Sequence, residues 1–244
     1  MNKVKTAGFL TIILSLCFVS CAHAWSLDWL KDKISTAKGT KLSDTQIGAG
    51  LKEALKVGIE NTIKQTGAKN GYLDNSLIKI LMPENMKNSE QLLRQLGFGP
   101  KIDEFVLSMN RAAEAAAPLA SDILSTAVTD MTIDDAQKIL KGGNTAATDF
   151  FKQKTYAGLL DAFQPSVRKS MDNYAVTKKF QDIIGKAQSL PYVGSLTSGV
   201  DINKYVSSKA LDGLFTVLGQ QEQKILTEPA ARVTELLQQV FGNK

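Results

Sequence analysis

The sequence has very few of the residues that most often act as bases, nucleophiles or metal ligands near neutral pH: it holds one histidine and two cysteines in 244 residues. These three residues, Cys17, Cys21 and His23, all lie within the first 24 positions. The rest of the chain therefore has no imidazole base, no thiol nucleophile, no histidine or cysteine ligand for zinc, and no disulfide. Its chemistry depends on carboxylates, Arg, Lys, hydroxyls, amides and the backbone.

The first 24 residues have the pattern of a secretory signal peptide. Lys3 and Lys5 supply positive charge, and residues 7–20 form an apolar run of about 14 residues, which is too short to cross a bilayer. Residues 22–24 (Ala-His-Ala) match the small-x-small motif that precedes a cleavage site. We therefore expect a signal peptide over residues 1–24, cleavage after it, and export to the periplasm.

The same segment permits a second interpretation. Residues 18–21 (Phe-Val-Ser-Cys) resemble the box after which bacterial lipoproteins are cleaved and acylated, although that box usually carries Leu where this chain has Phe. A lipoprotein would be anchored to the membrane at Cys21 and would keep His23. In both interpretations the protein leaves the cytoplasm, and without disulfides its fold depends on packing alone.

Residues 25–41 predict a short amphipathic helix and a linker. Trp25 and Trp29 fall on one side of a helix over residues 25–34, which either docks on its own domain or contacts a membrane surface or a partner. The Gly-, Thr- and Lys-rich residues that follow are typical of a linker. Membrane contact is thus expected only through lipidation at Cys21 or through this tryptophan helix.

Positive charge is spread thinly along the chain. The formal charge of +5 falls to about +3 when the two lysines of the signal peptide are removed, and aromatic residues make up only 7%. The densest basic runs, residues 168–169 and 178–179, are two residues long. Nucleic-acid binding normally needs longer basic runs or exposed aromatic platforms, so we expect none.

Residues 42–242 predict one compact all-α domain. Apolar residues recur with helical periodicity, and Gly and Pro separate the periodic segments. Only residues 78–82 alternate like a strand, so at most one short extended segment is expected there. The pattern predicts about ten helices, over residues 44–66, 84–96, 102–117, 119–130, 132–141, 145–163, 165–174, 176–189, 201–227 and 229–242.

Five blocks of the chain stand out by their composition and order. They are residues 42–43 with 50–55, 109–114 (Met-Asn-Arg-Ala-Ala-Glu), 131–136 (Met-Thr-Ile-Asp-Asp-Ala), 146–151 (Ala-Ala-Thr-Asp-Phe-Phe) and 229–232 (Pro-Ala-Ala-Arg). In this order they resemble one family of exported bacterial proteins, domain of unknown function 4197, and the resemblance covers roughly residues 40–242. It implies an exported, helical, Gram-negative envelope protein, and it implies no particular activity or cofactor.

Asn110, Arg111 and Glu114 are the first candidates for a binding site. Their spacing places all three polar groups on one helix face among alanines, where a second helix can approach closely and exclude water. Arg111 would then hold an anionic group while Glu114 transfers a proton. The alternative is a buried Arg–Glu pair, bridged by the asparagine, that holds the helix in register.

Thr132, Asp134 and Asp135 form a second candidate cluster, which together with Glu114 could offer oxygen ligands to Ca²⁺. Helix capping explains the same three residues more simply, since acidic residues favour a helix N-terminus, and we expect no metal and no cofactor. The turn over residues 142–145 (Gly-Gly-Asn-Thr) precedes a helix. It could bind an anion through backbone N–H groups or serve only as a junction.

No nucleophile motif accompanies these candidates, since Gly-x-Ser-x-Gly does not occur in the chain. We therefore expect a non-catalytic binding or interaction module of the cell envelope, whose partner is a protein or a small ligand. The alternative is an envelope enzyme that works without His or Cys, using Glu, Asp and Arg.

Overall fold

Helices are the main secondary structure in the part of the chain that the computed structural model describes, residues 44–173, 178–179, 181–182, 185 and 201–228. No β-strand occurs among these residues, which confirms the all-α prediction. The α-helices are α1 (Asp44–Gly67), α2 (Lys87–Leu93), α3 (Gly99–Ala116), α4 (Ala120–Thr129), α5 (Ile133–Lys141), α6 (Ala146–Asn173) and α7 (Ile202–Thr227).

The prediction of about ten helices was wrong, in part because the chain stays helical through both Pro118 and Pro165. Pro118 lies in a 3₁₀ turn (Ala117–Leu119) that continues α3 into α4, and Pro165 lies inside α6. A proline inside a helix costs about 3 kcal/mol. Phe163 and Val167 on either side of Pro165 are fully buried, and their packing offsets that cost.

The described helical residues therefore fall in five stretches of the chain: 44–67, 84–129, 133–141, 146–173 and 202–227. The second stretch begins with a 3₁₀ turn (Glu84–Met86) before α2, and it is kinked between α2 and α3 at Gly97, whose φ of 87° is left-handed. The helix predicted over 84–96 ends at this kink. The helices predicted over 25–34 and 229–242 lie outside the described residues, as does most of the one predicted over 176–189.

Four helices enclose the hydrophobic core. α7 packs against α1, α3 and α6, and α3 also packs against α6. The facing sides carry fully buried side chains, among them Phe105 and Met109 of α3, Phe151 of α6 and Leu214 of α7. Each such side chain contributes about 1.5–3 kcal/mol when it leaves water. The shorter helices α4 and α5 pack against α1 and α6.

The segment between α1 and α2 is held to the core by Tyr72. Its ring is fully buried, and its hydroxyl donates a hydrogen bond to the carbonyl of Ala210 in α7 at 2.7 Å. Burial, together with the negative charge of Glu114, raises the pKa of this hydroxyl, so it stays protonated and keeps donating. Gly71 precedes Tyr72, and a Cβ there would lie 2.2 Å from the carbonyl oxygen of Gln65.

The strand-like stretch near residues 78–82 forms no strand. Ile78, Ile80 and Met82 are buried, whereas Leu77 and Leu81 between and beside them are exposed. The alternation of apolar residues therefore arises because one side of this extended connecting segment packs on the core and the other side faces solvent. Hydrogen bonds to side chains of neighbouring helices replace the ladder that a second strand would supply.

All the described residues belong to one compact unit, residues 42–244. Within that part of the chain, none of the helices combines the length and the hydropathy that a membrane span requires. The predicted signal peptide over residues 1–24 and the predicted helix and linker over 25–41 lie outside the described residues and stay predictions.

Candidate functional site

Glu114 and Arg111 form a buried ion pair on α3. The guanidinium Nη1 donates to Glu114 Oε2 at 2.5 Å, and the side chains are 5% and 18% exposed respectively. Glu114 Oε1 accepts longer hydrogen bonds from the backbone N–H groups of Tyr72 at 3.3 Å and Leu73 at 3.4 Å. Arg111 Nη2 donates to Asn70 Oδ1 at 2.5 Å. The pair therefore binds the turn that follows α1.

Asn110 binds the next part of the same connecting segment. Its amide Nδ2 donates to the carbonyl oxygens of Ile80 at 2.8 Å and Val106 at 2.7 Å, and its Oδ1 accepts from the N–H of Ile80 at 2.9 Å. The side chain is fully buried. Asn110 thus forms hydrogen bonds with both the N–H and the carbonyl group of Ile80. In a β-sheet, a neighbouring strand would supply these two hydrogen bonds.

Asn110, Arg111 and Glu114 together attach the segment over residues 70–80 to α3. Their described partners are backbone groups and side chains of this same chain, and none of the three lines the cavities described below. This geometry favours the alternative in which the cluster holds the fold. The ligand-binding role of these residues stays a prediction.

Thr132 and Asp135 cap the N-terminus of α5 reciprocally. Thr132 Oγ1 accepts a hydrogen bond from the Asp135 N–H at 3.1 Å, and the Thr132 N–H donates to Asp135 Oδ2 at 3.2 Å. The hydrogen bonds from Thr132, first from its side chain and then from its backbone, lower the pKa of the Asp135 carboxyl. Asp134 is exposed in the same first turn.

The second predicted cluster therefore acts as a helix cap and has partners separate from those of Glu114. Among the described residues, no group of three or more His, Cys, Asp or Glu side chains is placed to hold a metal ion. Asp135 also lines a cavity of about 400 Å³ with Asp130 and Lys154.

The N-terminus of α6 holds a carboxylate that belongs to the protein itself. Glu222 of α7 accepts through Oε1 from the N–H of Ala147 at 2.8 Å. Its Oε2 accepts from the N–H of Thr148 at 2.9 Å and from the Thr148 hydroxyl at 2.7 Å. The partial positive charge of a helix N-terminus stabilises such a carboxylate. The sequence indicated that backbone N–H groups near the turn over residues 142–145 could bind an anion. In the structure, the Glu222 carboxylate accepts from the N–H groups of Ala147 and Thr148, just after this turn.

A cavity of about 250 Å³ lies beside Glu222, between α1, α5, α7 and the turn that follows α5. We refer to it as the α1–α7 cleft. Its walls are mainly apolar, and Glu222 is the only charged residue among the described residues that line it. The residues that define it include Leu51, Ala54 and Leu55 of α1, Ile139 of α5, Asn144 of the turn and Glu222 of α7.

The family model described as "Protein of unknown function (DUF4197)" matches residues 41–242. The chain belongs to the DUF4197 family. This match confirms the resemblance drawn from the five sequence blocks. No curated protein and no solved structure matches the chain significantly. Its function must therefore be argued from the geometry of its own residues.

In this DUF4197 chain, sequence reasoning missed Glu222. The helix α6 begins at Ala146, and a carboxylate from α7 binds its first turn. Thr145, the residue before the helix, donates its hydroxyl to Asp149 Oδ2 at 3.1 Å. A helix start without a local acceptor indicates a partner from elsewhere in the chain. The lack of a local acceptor does not show which carboxylate from another part of the chain binds the helix N-terminus.

Proposed function

We propose that the protein is exported to the periplasm and acts there as a non-catalytic binding module, with the α1–α7 cleft as its ligand site. One observation carries the binding role: among the described residues that line it, the cleft combines apolar walls with one carboxylate residue, Glu222, which three hydrogen bonds hold in place. Small-molecule sites commonly have this composition, with apolar walls and one or two fixed polar groups. Export rests on the pattern of residues 1–24.

The state of the candidate acid–base groups supports binding over catalysis. Glu114 is held by Arg111 and by two backbone N–H groups, and Asp135 is held in the cap of α5. The lowered pKa of Asp135 makes it a weak proton donor and acceptor near neutral pH.

A variant that fills the cleft tests the binding role. Ala54 is 2% exposed and lines the cleft, whereas Ala49 lies on the exposed side of the same helix. We expect wild-type protein and Ala49→Leu to bind small apolar compounds with chemical-shift changes at the methyl groups of Leu51, Leu55 and Ile139. Ala54→Leu should lose this binding.

Circular dichroism shows whether each variant is folded. If Ala54→Leu does not fold, Leu51→Phe fills the same cleft from one turn away. Equal binding by the wild type and a folded cleft-filling variant would reject the cleft as the ligand site. A periplasmic fraction that lacks the protein would reject the export part of the proposal.

A further inference from the structure

We infer that the α1–α7 cleft takes a short amphiphile whose apolar chain ends in a protonated amine. This inference rests on the proposed binding role of the cleft. It adds the chemical class of the ligand, which the apolar lining alone leaves open.

The charge of the lining selects the head group. Glu222 is the only charged residue among the described residues that line the cleft, so no described lysine or arginine there can pair with an anion. Like charges brought close together in a partly desolvated site repel one another, and opposite charges attract. An ammonium head is therefore favoured over a carboxylate, phosphate or sulfate head.

The hydrogen bonds of Glu222 leave room for a further donor. A carboxylate accepts about four hydrogen bonds. The described residues supply three, one to Oε1 from Ala147 and two to Oε2 from Thr148. Oε1 therefore keeps one acceptor position for a ligand donor. Two backbone N–H groups and one hydroxyl of α6 already hold the carboxylate in place. Ligand binding therefore does not have to restrict the motion of this side chain, which would cost conformational entropy.

The volume of the cleft limits the apolar part. An apolar protein cavity of about 150 Å³ holds benzene, which has six carbon atoms. By proportion, the cleft of about 250 Å³ takes roughly nine or ten non-hydrogen atoms. Leu51, Leu55 and Ile139 face such a chain with aliphatic side chains that have no hydrogen-bonding groups. Octylamine, protonated at neutral pH, has the matching size and charge.

Three probes of equal chain length separate head-group chemistry from apolar burial: octylammonium, octan-1-ol and octanoate. Isothermal titration calorimetry of the purified protein at pH 7 should give the tightest binding for octylammonium and intermediate binding for octan-1-ol. Octanoate should bind at least about tenfold more weakly than octylammonium.

Glu222→Gln keeps the shape of the side chain, removes its charge and replaces one accepting oxygen by an amide nitrogen, which cannot accept from the α6 N–H group opposite it. We expect it to reduce the difference between octylammonium and octanoate to less than about threefold, while octan-1-ol binding changes little. Thr148→Val is the matched control, because it removes one hydrogen bond to Glu222 and leaves the carboxylate charged. The preference for octylammonium should survive in Thr148→Val.

The outcomes distinguish this inference from the proposed function. If octanoate binds as tightly as octylammonium, or if Glu222→Gln keeps the full preference, the ligand class is wrong and the cleft stands as an apolar site. If none of the three probes binds, or if they bind equally to a folded Ala54→Leu variant, the proposed function fails as well. The occupant of the cleft would then be a partner protein or another segment of this chain.

Discussion

Glu222 of α7 and Thr148 of α6 are joined by two hydrogen bonds to one carboxylate oxygen, at 2.9 Å from the Thr148 backbone N–H and 2.7 Å from its hydroxyl. With the third bond from Ala147, they connect the first turn of α6 to the last turns of α7. Glu222 is also the one charged residue among the described residues that line the α1–α7 cleft. A residue that caps a helix in the fold therefore also belongs to the proposed ligand site.

Replacement of Glu222 by Ala should destabilise the protein, because two backbone N–H groups of α6 lose their acceptor. We expect a loss of about 1–3 kcal/mol in the free energy of unfolding, measured by urea denaturation. Gln223→Ala on the exposed side of the same turn is the control and should change stability by less than about 0.5 kcal/mol. Equal effects of the two substitutions would contradict a capping role for Glu222.

Replacement of Arg111 by Ala should destabilise the protein strongly, because it leaves the buried carboxylate of Glu114 without its charged partner. Breaking a buried pair from one side costs about 3–5 kcal/mol. Arg94→Ala is the matched control: Arg94 pairs with Glu90 and Asp103 at the surface, where such pairs contribute about 0–1 kcal/mol.

A double-mutant cycle with Arg111→Ala and Glu114→Gln measures the coupling between the two side chains. If Arg111→Ala leaves stability unchanged, the pair does not hold the 70–80 segment to α3. Arg111 would then be available for the ligand role that the sequence suggested.

Gly71 and Gly158 should respond in opposite directions to alanine. A Cβ at Gly71 would lie 2.2 Å from the Gln65 carbonyl oxygen, so the turn before Tyr72 must shift, and we expect a loss of about 2 kcal/mol or more. A Cβ at Gly158, inside α6, meets nothing within 4 Å. Gly158→Ala should raise the stability by about 0.5–1 kcal/mol. Thermal unfolding should show a lower melting temperature for Gly71→Ala and a higher one for Gly158→Ala than for the wild type.

The cap of α5 should be visible in the titration of Asp135. Its pKa is lowered in the folded state, so the stability it contributes is present above its unfolded pKa of about 3.9 and is lost as the pH falls through the lowered value. Thr132→Val removes the hydroxyl and should raise the Asp135 pKa, whereas Thr132→Ser should keep it low. Carbon-13 NMR of the carboxyl group follows the titration. An identical pKa in both variants would contradict the role of the hydroxyl.

Processing of the N-terminus should leave Trp25 as the first residue of a periplasmic protein. Mass spectrometry of the intact protein from a periplasmic fraction measures this directly. Cys21→Ser should not alter the processing, since the expected cleavage follows Ala24. Loss of processing in that variant, together with a mass increase from lipid in the wild type, would favour the lipoprotein interpretation.

Helix positions were predictable wherever the determining residues lie within a few positions of each other. The predicted helix over 44–66 corresponds to α1, Asp44–Gly67, because Leu51, Ala54, Leu55 and Ile59 share one buried face. The start of α5 followed from Thr132 and Asp135, three residues apart. The continuation of α6 through Pro165 did not follow from local sequence, since it depends on tertiary packing of Phe163 and Val167.

The candidate site was only partly predictable for the same reason. The spacing of Arg111 and Glu114 indicated their pairing, which the structure contains. It did not indicate that the pair binds backbone groups of Tyr72 and Leu73, or that Asn110 binds Ile80, because those partners lie 30 or more positions away.

The sequence alone determined the helical class, the membership of the DUF4197 family, the cap of α5 and the near absence of His and Cys. These depend on composition and on interactions within one helical turn. Only the tertiary structure decided the number of helices, the attachment of residues 70–80 to α3 and the position of Glu222 beside the cleft. Glu222 and Thr148 are 74 positions apart, and such a contact forms only when packing of apolar faces brings α6 and α7 together.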